Sequence, residues 1–478
     1  MVLRKITEKI TLAAAADVVG RLKMFVFIPI ISKLLGAYAY GIWVQMTVAV
    51  GLLGSLTMLG MNYGFLRFLP GMNGRRIAEE IPPVIGMVFA ASLAGAAVLI
   101  LASGPISLFL LKDPASAGFI RLSGFYLVTV TLRDLFVIYF RARENIRLYA
   151  RIVFIDALIS VMIAFVAAGR GLYALLLGLV ISNGVIILVS LLAMSKDVMF
   201  RFSGMIAPRA WIRYSLPFVP IALLLWVSNS IDRYFIGHIH GVTDVAVYSV
   251  AYAFSYFVLN FFISPLYIVF QPVITRLWNT GMREKAVGLL DWTVKACLAV
   301  MVPVAAIFAA LSGPVIGMIS TADFVRGAVI IPFIAAGYIF YLTGVFVEIV
   351  FFVRNAGGTL AGIYLAAALL NVLGNILLVP SFGIVGAALA TMASFAAQFL
   401  MTCRVVRADY RIGIGAGAFF KIIICSAMVF LLIMCLPHAT VQTAILAGFA
   451  GMASYGALLF LLKVYTRRDI DVVRELLA

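Results

Sequence analysis

Charged residues are scarce in this sequence: Asp, Glu, Lys and Arg together make up 12% of its 478 residues, against about 25% in an ordinary soluble domain. Hydrophobic residues make up 64%, which is too much apolar surface for a fold that faces water. A membrane-spanning helix takes about 20 apolar residues, so the chain has room for about 14 spans. The sequence therefore predicts an all-α, polytopic membrane protein with about 14 transmembrane helices.

The chain also lacks a segment that could form a catalytic domain in water. The longest stretch between apolar runs, about Lys196 to Arg213, is too short for a nucleotide-binding fold, and no GxxxxGK[ST] phosphate loop occurs. All four cysteines fall in or at the edge of apolar runs, without CxxC spacing. These absences exclude ATP hydrolysis by this chain and predict a protein that is not an enzyme, with no catalytic residue and no metal site.

Basic residues outnumber acidic ones by 36 to 19, which gives a net charge of +17. In a soluble protein this excess would suggest a nucleic-acid partner, but membrane proteins concentrate Lys and Arg on their cytoplasmic side. With the N-terminus in the cytoplasm, six basic clusters fall on that same side. The charge pattern therefore predicts a multi-pass protein of the cell membrane, with both termini cytoplasmic and no nucleic-acid partner. The clusters are Arg75/Arg76, Arg141 to Arg151, Lys196 to Arg213, Arg276 to Lys285, Arg404 to Arg411 and Lys463 to Arg474.

Short glycine-opened turns recur at a nearly constant distance along the chain. The turn that opens at Gly36 has a counterpart about 205 residues later at Gly241, and the turn at Gly171 has one about 212 residues later at Gly383. These offsets favour a six-plus-six duplication, as in many transporters. The predicted domains are one six-helix lobe at 1–200, a second at 201–410, and two additional helices with a cytoplasmic tail at 411–478. The alternative is that short turns resemble each other by chance.

Three segments resemble a known family of transporters. They are SKLLGAYAYGIWVQ (Ser32 to Gln45), NSIDRYFIGHIHGVTDVAVYSVAYAF (Asn229 to Phe254) and GIVGAALAT (Gly383 to Thr391). In this order and at this spacing the chain resembles the polysaccharide transporter branch of the MOP exporter superfamily, the Wzx-like oligosaccharide flippases. A chain with fourteen spans is also similar to the lipid II flippases of that superfamily.

This resemblance implies a function, partners and an assembly state. The substrate would be a polyprenyl-diphosphate-linked oligosaccharide, moved from the cytoplasmic to the outer leaflet by alternating access of two lobes. It would serve the biosynthesis of a surface polysaccharide such as lipopolysaccharide. Partners would be the lipid-linked saccharide, membrane lipids and glycosyltransferases of the same pathway, and we expect a monomer.

The first predicted helix carries three ionisable residues within its apolar run: Asp17, Arg21 and Lys23. A charge at the centre of a span costs about 2.5 to 3.5 kcal/mol on insertion scales, so such residues are functional candidates. Asp17 and Arg21 are four residues apart and share a helix face, which allows an internal ion pair. Lys23 then leaves net positive charge suited to a diphosphate. The alternative is structural pairing, with Lys23 extended towards the interface.

Further charges lie in the fourth and fifth predicted spans. Arg133 and Asp134 are consecutive, point about 100° apart on a helix, and are not expected to neutralise each other. Asp156 is a lone acid, which predicts Arg133 or a base of the first helix as its partner. Glu348 and Lys295 are candidates for another interhelical pair. The predicted substrate-binding residues are Asp17, Arg21, Lys23, Arg133, Asp134 and Asp156.

The second predicted lobe carries oxygen-bearing side chains that could hold a monovalent cation. Asn371 and Asn375 share one helix face, and a carboxylate with a hydroxyl could complete an all-oxygen cage. The resemblance to lipid II flippases implies a sodium site on these helices, although Asn375 stands where a second acid would be expected. Interhelical amide hydrogen bonds are the alternative. Na⁺ or H⁺ is therefore a candidate coupling ion, with no other cofactor. The candidate residues are Asn229, Asp232, Asn371, Asn375 and Thr391.

Two other functions compete with the flippase interpretation. A cation-coupled multidrug exporter of the same superfamily should have an acidic or neutral cavity, whereas here bases cluster on the first helix. A membrane glycan polymerase would need a long external loop, and the predicted external turns are all short. The charge signs therefore favour an anionic substrate.

Overall fold

The structure is a computed structural model that describes residues 2–195, 207–408, 410, 413, 415–436 and 440–464; side chains 2–11, 13, 14, 17, 21, 24, 416 and 441 are outside the described set. The described chain is helical and contains no β-strand, as predicted. Two 3₁₀-helices lie at Pro114–Ser116 and Ala322–Ile330. The α-helices are α1 (Val2–Thr57), α2 (Met61–Phe68), α3 (Gly74–Leu101), α4 (Ser103–Leu111), α5 (Ala117–Ala142), α6 (Ile146–Ala168), α7 (Leu172–Met194), α8 (Arg209–Ser215), α9 (Phe218–Ile239), α10 (Val242–Asn279), α11 (Arg283–Ala310), α12 (Ser312–Ile319), α13 (Ile331–Val347), α14 (Ile349–Val353), α15 (Gly357–Val406), α16 (Ala416–Cys435) and α17 (Val441–Leu461).

Eleven helical segments of the described chain are long and apolar enough to cross a membrane, or twelve if the bent pair of α1 and α2 is counted as one span. This makes the chain a multi-pass membrane protein, with fewer spans by this criterion than the fourteen predicted. The difference lies partly in α15, whose 50 residues would extend about 75 Å, more than twice the apolar thickness of a bilayer. Its backbone is non-helical at Gly383, and Gly386 lies against the Leu378 carbonyl, so α15 doubles back. The count of fourteen stays a prediction.

The four glycines that open the predicted repeat turns share an unusual backbone conformation. Their φ angles are 74° at Gly36, 95° at Gly241, 98° at Gly171 and 55° at Gly383. Residues with a Cβ rarely take up this left-handed region, whereas glycine enters it without steric cost. The glycines paired in the sequence therefore turn the chain by the same physical means. At Gly36 the turn folds α1 back on itself, as the 6.2 Å distance between the ring centroids of Phe27 and Trp43 shows.

The chain divides into two compact units, which meet in sequence between Ala246 and Val247. In the first unit α1 packs against α6 and α9, α3 packs against α5, and α7 packs against α5 and α6. The short helix α8 packs against α2, where Trp211 meets the ring of Phe65 edge-on at 5.7 Å. The Trp211 Nε1 also donates a hydrogen bond of 2.8 Å to Glu80. The predicted lobes at 1–200 and 201–410 were defined by a repeat in the sequence, whereas the two units are defined by their internal contacts. The lobes therefore stay a prediction.

In the second unit α13 packs against α15 and α11, and α11 packs against α16. Helix α10 joins this group through aromatic side chains, since the hydroxyls of Tyr252 and Tyr338 are 2.8 Å apart. The two C-terminal helices share a buried apolar core with α11, in which Ile307, Val429 and Ala447 take part. Phe449 and Phe460 on α17 are 72% and 84% exposed, as expected for side chains that face lipid.

Candidate functional site

A cluster of charged side chains joins three helices of the first unit. Lys23 on α1 places its Nζ 2.8 Å from Oδ2 of Asp156 on α6. Arg133 on α5 places its NH1 3.4 Å from the other oxygen of that carboxylate, Oδ1. The Ser160 hydroxyl lies 3.5 Å from the same Oδ1. The prediction that Asp156 pairs with Arg133 or with a base of the first helix is confirmed, and the two bases share it.

The structure corrects the expectation for Arg133 and Asp134, which was wrong. The Arg133 NH2 lies 2.7 Å from Oδ1 of Asp134, and its Nε donates to the same oxygen at 3.0 Å. The angle of about 100° between consecutive residues applies to their Cβ atoms. An arginine side chain is long enough to turn back along the helix surface, so these neighbours neutralise each other.

The cluster is therefore balanced, with the two bases Lys23 and Arg133 held by the two acids Asp134 and Asp156. The side chains of Lys23, Arg133 and Asp156 are 14%, 18% and 15% exposed, whereas that of Asp134 is 49% exposed. Two other predicted members, Asp17 and Arg21, have side chains outside the described residues.

A cavity of about 510 Å³ lies beside this cluster in the first unit. Asp134 belongs both to the cavity wall and to the ion-pair cluster, so the cluster borders this space through one of its acids. The hydroxyl-bearing residues of the wall are Thr47, Ser55, Tyr126 and Thr131.

A second recess in the same unit, of about 660 Å³, has an almost entirely apolar wall. It is formed by side chains of α1, α3, α4 and α9, among them Leu53, Ile106 and Phe235. Phe109 and His238 face each other across it, with ring centroids 5.5 Å apart. The first unit thus offers one recess with hydroxyl groups and a carboxylate in its wall and one that is almost entirely apolar.

Two members of the predicted cation cage, Asn229 and Asp232, lie on α9 in the first unit. Asp232 is 1% exposed and pairs with the neighbouring Arg233, whose NH1 lies 2.7 Å from its Oδ1. Arg233 also donates to the Asn229 carbonyl, and Gln45 donates to the Arg233 carbonyl at 2.9 Å. The cage prediction did not include this arginine, which already neutralises the only carboxylate among the predicted ligands.

The other three predicted ligands lie on the two limbs of α15 in the second unit. Asn371 donates to Thr391 Oγ1 at 3.4 Å and to Ser394 Oγ at 3.2 Å, and Asn375 Nδ2 donates to Asn371 Oδ1 at 3.1 Å. The structure thus brings Asn371, Asn375 and Thr391 together, with Asn371 hydrogen-bonded across to the second limb and Asn375 bonded to Asn371 on the same limb. Ser394 was missed, although its position three residues after Thr391 places it on the same helix face.

Glu348 lies in the single-residue break between α13 and α14 and is 3% exposed. Its Oε2 lies 2.7 Å from the Tyr364 hydroxyl, and its Oε1 accepts from Gln398 Nε2 at 3.2 Å. The predicted partner, Lys295, is not within ion-pair distance of it, so the expected pair was wrong. Instead of a base, a tyrosine hydroxyl and an amide contact the carboxyl group. Both are uncharged groups that can donate hydrogen bonds.

Comparisons with known proteins agree with this architecture. The family model described as polysaccharide biosynthesis protein matches residues 30–327, and the model described as lipid II flippase MurJ matches residues 239–460. No curated protein matches the chain.

Solved structures of transporters share the fold. A structure of lipid II flippase MurJ in an inward closed conformation has a TM-score of 0.76 at 14% identity, covering 95% of this chain and 100% of that one. An inward-facing multidrug resistance MATE family transporter of the MOP superfamily has a TM-score of 0.60 at 13% identity, covering 83% and 98%. A mutant of the Vibrio cholerae MATE transporter VcmN has a TM-score of 0.53 at 16% identity, covering 84% and 99%.

The families that these comparisons name are transporters without a catalytic step, in agreement with the prediction that the chain is not an enzyme. The resemblance first seen in the three sequence segments extends to the whole fold. With a family model that covers more than half of its length, the chain belongs to the polysaccharide biosynthesis protein family, within the MOP exporter superfamily of membrane transporters.

Proposed function

We propose that this protein is a flippase that moves a polyprenyl-diphosphate-linked oligosaccharide from the cytoplasmic to the outer leaflet by alternating access. The diphosphate is recognised by Lys23 and Arg133 in the first unit. The observation that carries the proposal is the cluster in which these two bases share the Asp156 carboxylate beside a cavity whose wall includes hydroxyl groups and Asp134.

A diphosphate is a suitable ligand for these bases because it offers several anionic oxygens within a small volume. The two cations already bind carboxylate oxygens at 2.8 Å and 3.4 Å, so their side chains are held in place before an anionic ligand enters. Charge-assisted hydrogen bonds of this kind contribute about 1.5 to 3 kcal/mol each. The loss of one base should therefore weaken binding about tenfold to a hundredfold.

The apolar recess of the first unit supports a substrate with a hydrocarbon chain. Its volume of about 660 Å³ and its wall of leucine, isoleucine, valine and phenylalanine side chains can bury several isoprene units. Burial of apolar surface contributes about 25 cal/mol per Å². One unit would thus engage both the anionic and the apolar part of a lipid-linked saccharide.

Binding of polyprenyl diphosphate to the purified full chain tests this proposal directly. We expect Lys23→Gln and Arg133→Gln each to weaken binding about tenfold or more. Two matched variants lose the same charge from exposed positions of the same helices, Lys33→Gln on α1 and Arg121→Gln on α5, and they should bind as the wild type does.

Two outcomes would overturn the proposal. One is equal binding of polyprenyl diphosphate by all five proteins. The other is preferential binding of an organic cation such as a quaternary ammonium compound, which would favour the multidrug exporter. In cells, complementation of a strain that lacks its oligosaccharide flippase should fail for Lys23→Gln at unchanged membrane abundance.

Sodium coupling remains part of the proposal, and its candidate residues are Asn229 and Asp232 in the first unit and Asn371, Asn375 and Thr391 in the second. Asp232→Asn should remove any sodium dependence of transport while leaving expression intact. If transport by the wild type does not depend on sodium, Asn371 and Asn375 serve only to stabilise the folded-back α15.

Both termini are proposed to be cytoplasmic, with the chain acting as a monomer beside glycosyltransferases that supply its substrate. The clustering of Lys and Arg supports this orientation. Labelling of a cysteine introduced at Thr243 should succeed only from outside the cell, and labelling only from the cytoplasm would reverse the topology.

A further inference from the structure

We propose that Glu348 is a proton-binding site of the second unit, separate from substrate recognition and from the predicted sodium cage. Its carboxyl group takes up and releases a proton at the break between α13 and α14, where it is bonded to both limbs of the α15 hairpin. The proposal goes beyond the substrate, because it concerns the ion that drives the conformational change.

The burial of Glu348 without a base is the first observation. The residue is 3% exposed, and among the residues that the structure describes no Lys, Arg or His lies within ion-pair distance of it. Burying an ionised carboxylate without a counter-charge costs far more than burying its protonated form. A carboxyl group in this position is therefore stable when it carries a proton.

The chemistry of the neighbours is the second observation. Tyr364 offers a hydroxyl and Gln398 an amide nitrogen, so both carboxyl oxygens meet groups that can donate hydrogen bonds. A metal cation would instead need several oxygen acceptors turned towards it. The hydroxyl of Tyr364 can both donate and accept, and it can keep its 2.7 Å contact whether or not Glu348 carries a proton.

The groups that face Glu348 come from three elements. Tyr364 and Gln398 belong to α15, Tyr341 to α13 and Tyr267 to α10, and the last two tyrosines lie within electrostatic range of the carboxyl group. On the neighbouring α11 the buried base is Lys295, which is not within ion-pair distance of Glu348. All the partners are thus neutral at physiological pH, so the charge of the site is set by the proton on Glu348 alone.

The position of Glu348 links its protonation to the backbone. Tyr364 precedes the hairpin turn at Gly383 and Gln398 follows it, so the two hydrogen bonds of one carboxyl group hold both limbs of α15 to the α13–α14 break. Loss of the proton creates a buried charge and favours a conformation in which water reaches the carboxylate. The protonated carboxyl group therefore favours the conformation in which the α13–α14 break is bonded to the α15 hairpin, and loss of the proton favours its release.

Infrared spectroscopy of the purified full chain in lipid vesicles tests the site without any substrate. At neutral pH the wild type should show the C=O band of a protonated carboxylic acid, and Glu348→Gln should lose it. The matched control Glu79→Gln removes an exposed glutamate of α3 and should retain the band. Tyr364→Phe should shift the band in frequency, because the protonated carboxyl group loses the tyrosine hydroxyl that lies 2.7 Å from its Oε2 and accepts the hydrogen bond of its O–H.

Three outcomes would overturn the site. The first is a neutral-pH spectrum in which Glu348→Gln removes no protonated band. The second is disappearance of the band on addition of sodium chloride at constant pH, which would mean that a metal cation replaces the proton. The third applies if Glu348→Gln does not fold. In that case, an infrared band that is unshifted in Tyr364→Phe would overturn the site. None of these results depends on diphosphate binding, so failure here and failure of the proposed function can be distinguished.

Discussion

The two units bury acids in opposite ways. In the first unit Asp156 lies between two bases, Lys23 and Arg133, at 2.8 Å and 3.4 Å. In the second, Glu348 is held by a tyrosine and an amide. The ion-pair cluster keeps its charges and can exchange a carboxylate for another anion, whereas the neutral surroundings of Glu348 favour a bound proton. This contrast is why we propose anion recognition in the first unit and proton binding in the second.

The largest expected effect comes from removing the shared acid of the first unit. Asp156→Asn leaves Lys23 and Arg133 close together without their common counter-charge, and breaking a buried pair in this way costs about 3 to 5 kcal/mol. Thermal unfolding of the purified protein should show this loss. The double variant Lys23→Met with Asp156→Leu should recover part of it, since no unpaired lysine remains. An unchanged unfolding temperature in Asp156→Asn would mean that the cluster is hydrated.

The second prediction concerns a variant in which the buried acid of the second unit gains a base, as the acid of the first unit has. Gln398→Lys places a base where an amide now contacts Glu348 at 3.2 Å. We expect an ion pair to form and the infrared band of the protonated carboxyl group to vanish at neutral pH. Gln398→Met supplies a side chain of similar length without charge and should retain the band. Persistence of the band in the lysine variant would contradict the contrast between the units.

A smaller effect is expected from the amide hydrogen bonds of α15. Asn371→Ala removes donors to Thr391 and Ser394, and interhelical hydrogen bonds in membranes contribute about 0.6 kcal/mol each on average. The loss should therefore be about 1 kcal/mol in an unfolding titration. A loss several times larger would indicate that Asn371 does more than join the two limbs of α15.

The smallest effect is expected at the exposed end of the ion-pair cluster. Asp134→Asn removes a carboxylate whose side chain is 49% exposed, and exposed ion pairs contribute about 0.2 to 1 kcal/mol. Its unfolding temperature should therefore stay close to that of the wild type, far above that of Asp156→Asn. Binding of polyprenyl diphosphate should not weaken, because Arg133 loses a competing anion. Equal destabilisation by the two variants would mean that burial does not distinguish these acids.

Sequence patterns predicted the helical class and the turns because both depend on local chemistry. Gly36, Gly171, Gly241 and Gly383 lie where the chain needs a left-handed residue, and each is visible as a glycine between apolar runs. The short helices α4, α8 and α12 were not predicted, since periodicity over fewer than ten residues carries little information.

The polar contacts were predictable only where charge alone selects the partner. Asp156 needs a base, and two were within reach of its helix. Arg133 and Asp134 were misjudged because helix geometry fixes the Cβ directions and not the reach of an arginine. The tyrosine and the amide that hold Glu348 could not be chosen from the many others in the chain without knowing how α15 folds back.

The one-residue turn at Gly383 also constrains how the protein enters the membrane. The helix runs from Gly357 to Val406 with no loop between its limbs, so there is no polar segment that could be exported separately after the first limb. A helical hairpin of this kind satisfies its backbone hydrogen bonds within each limb before it enters the bilayer. The short turn at Gly383 therefore favours integration of the two limbs as one hairpin.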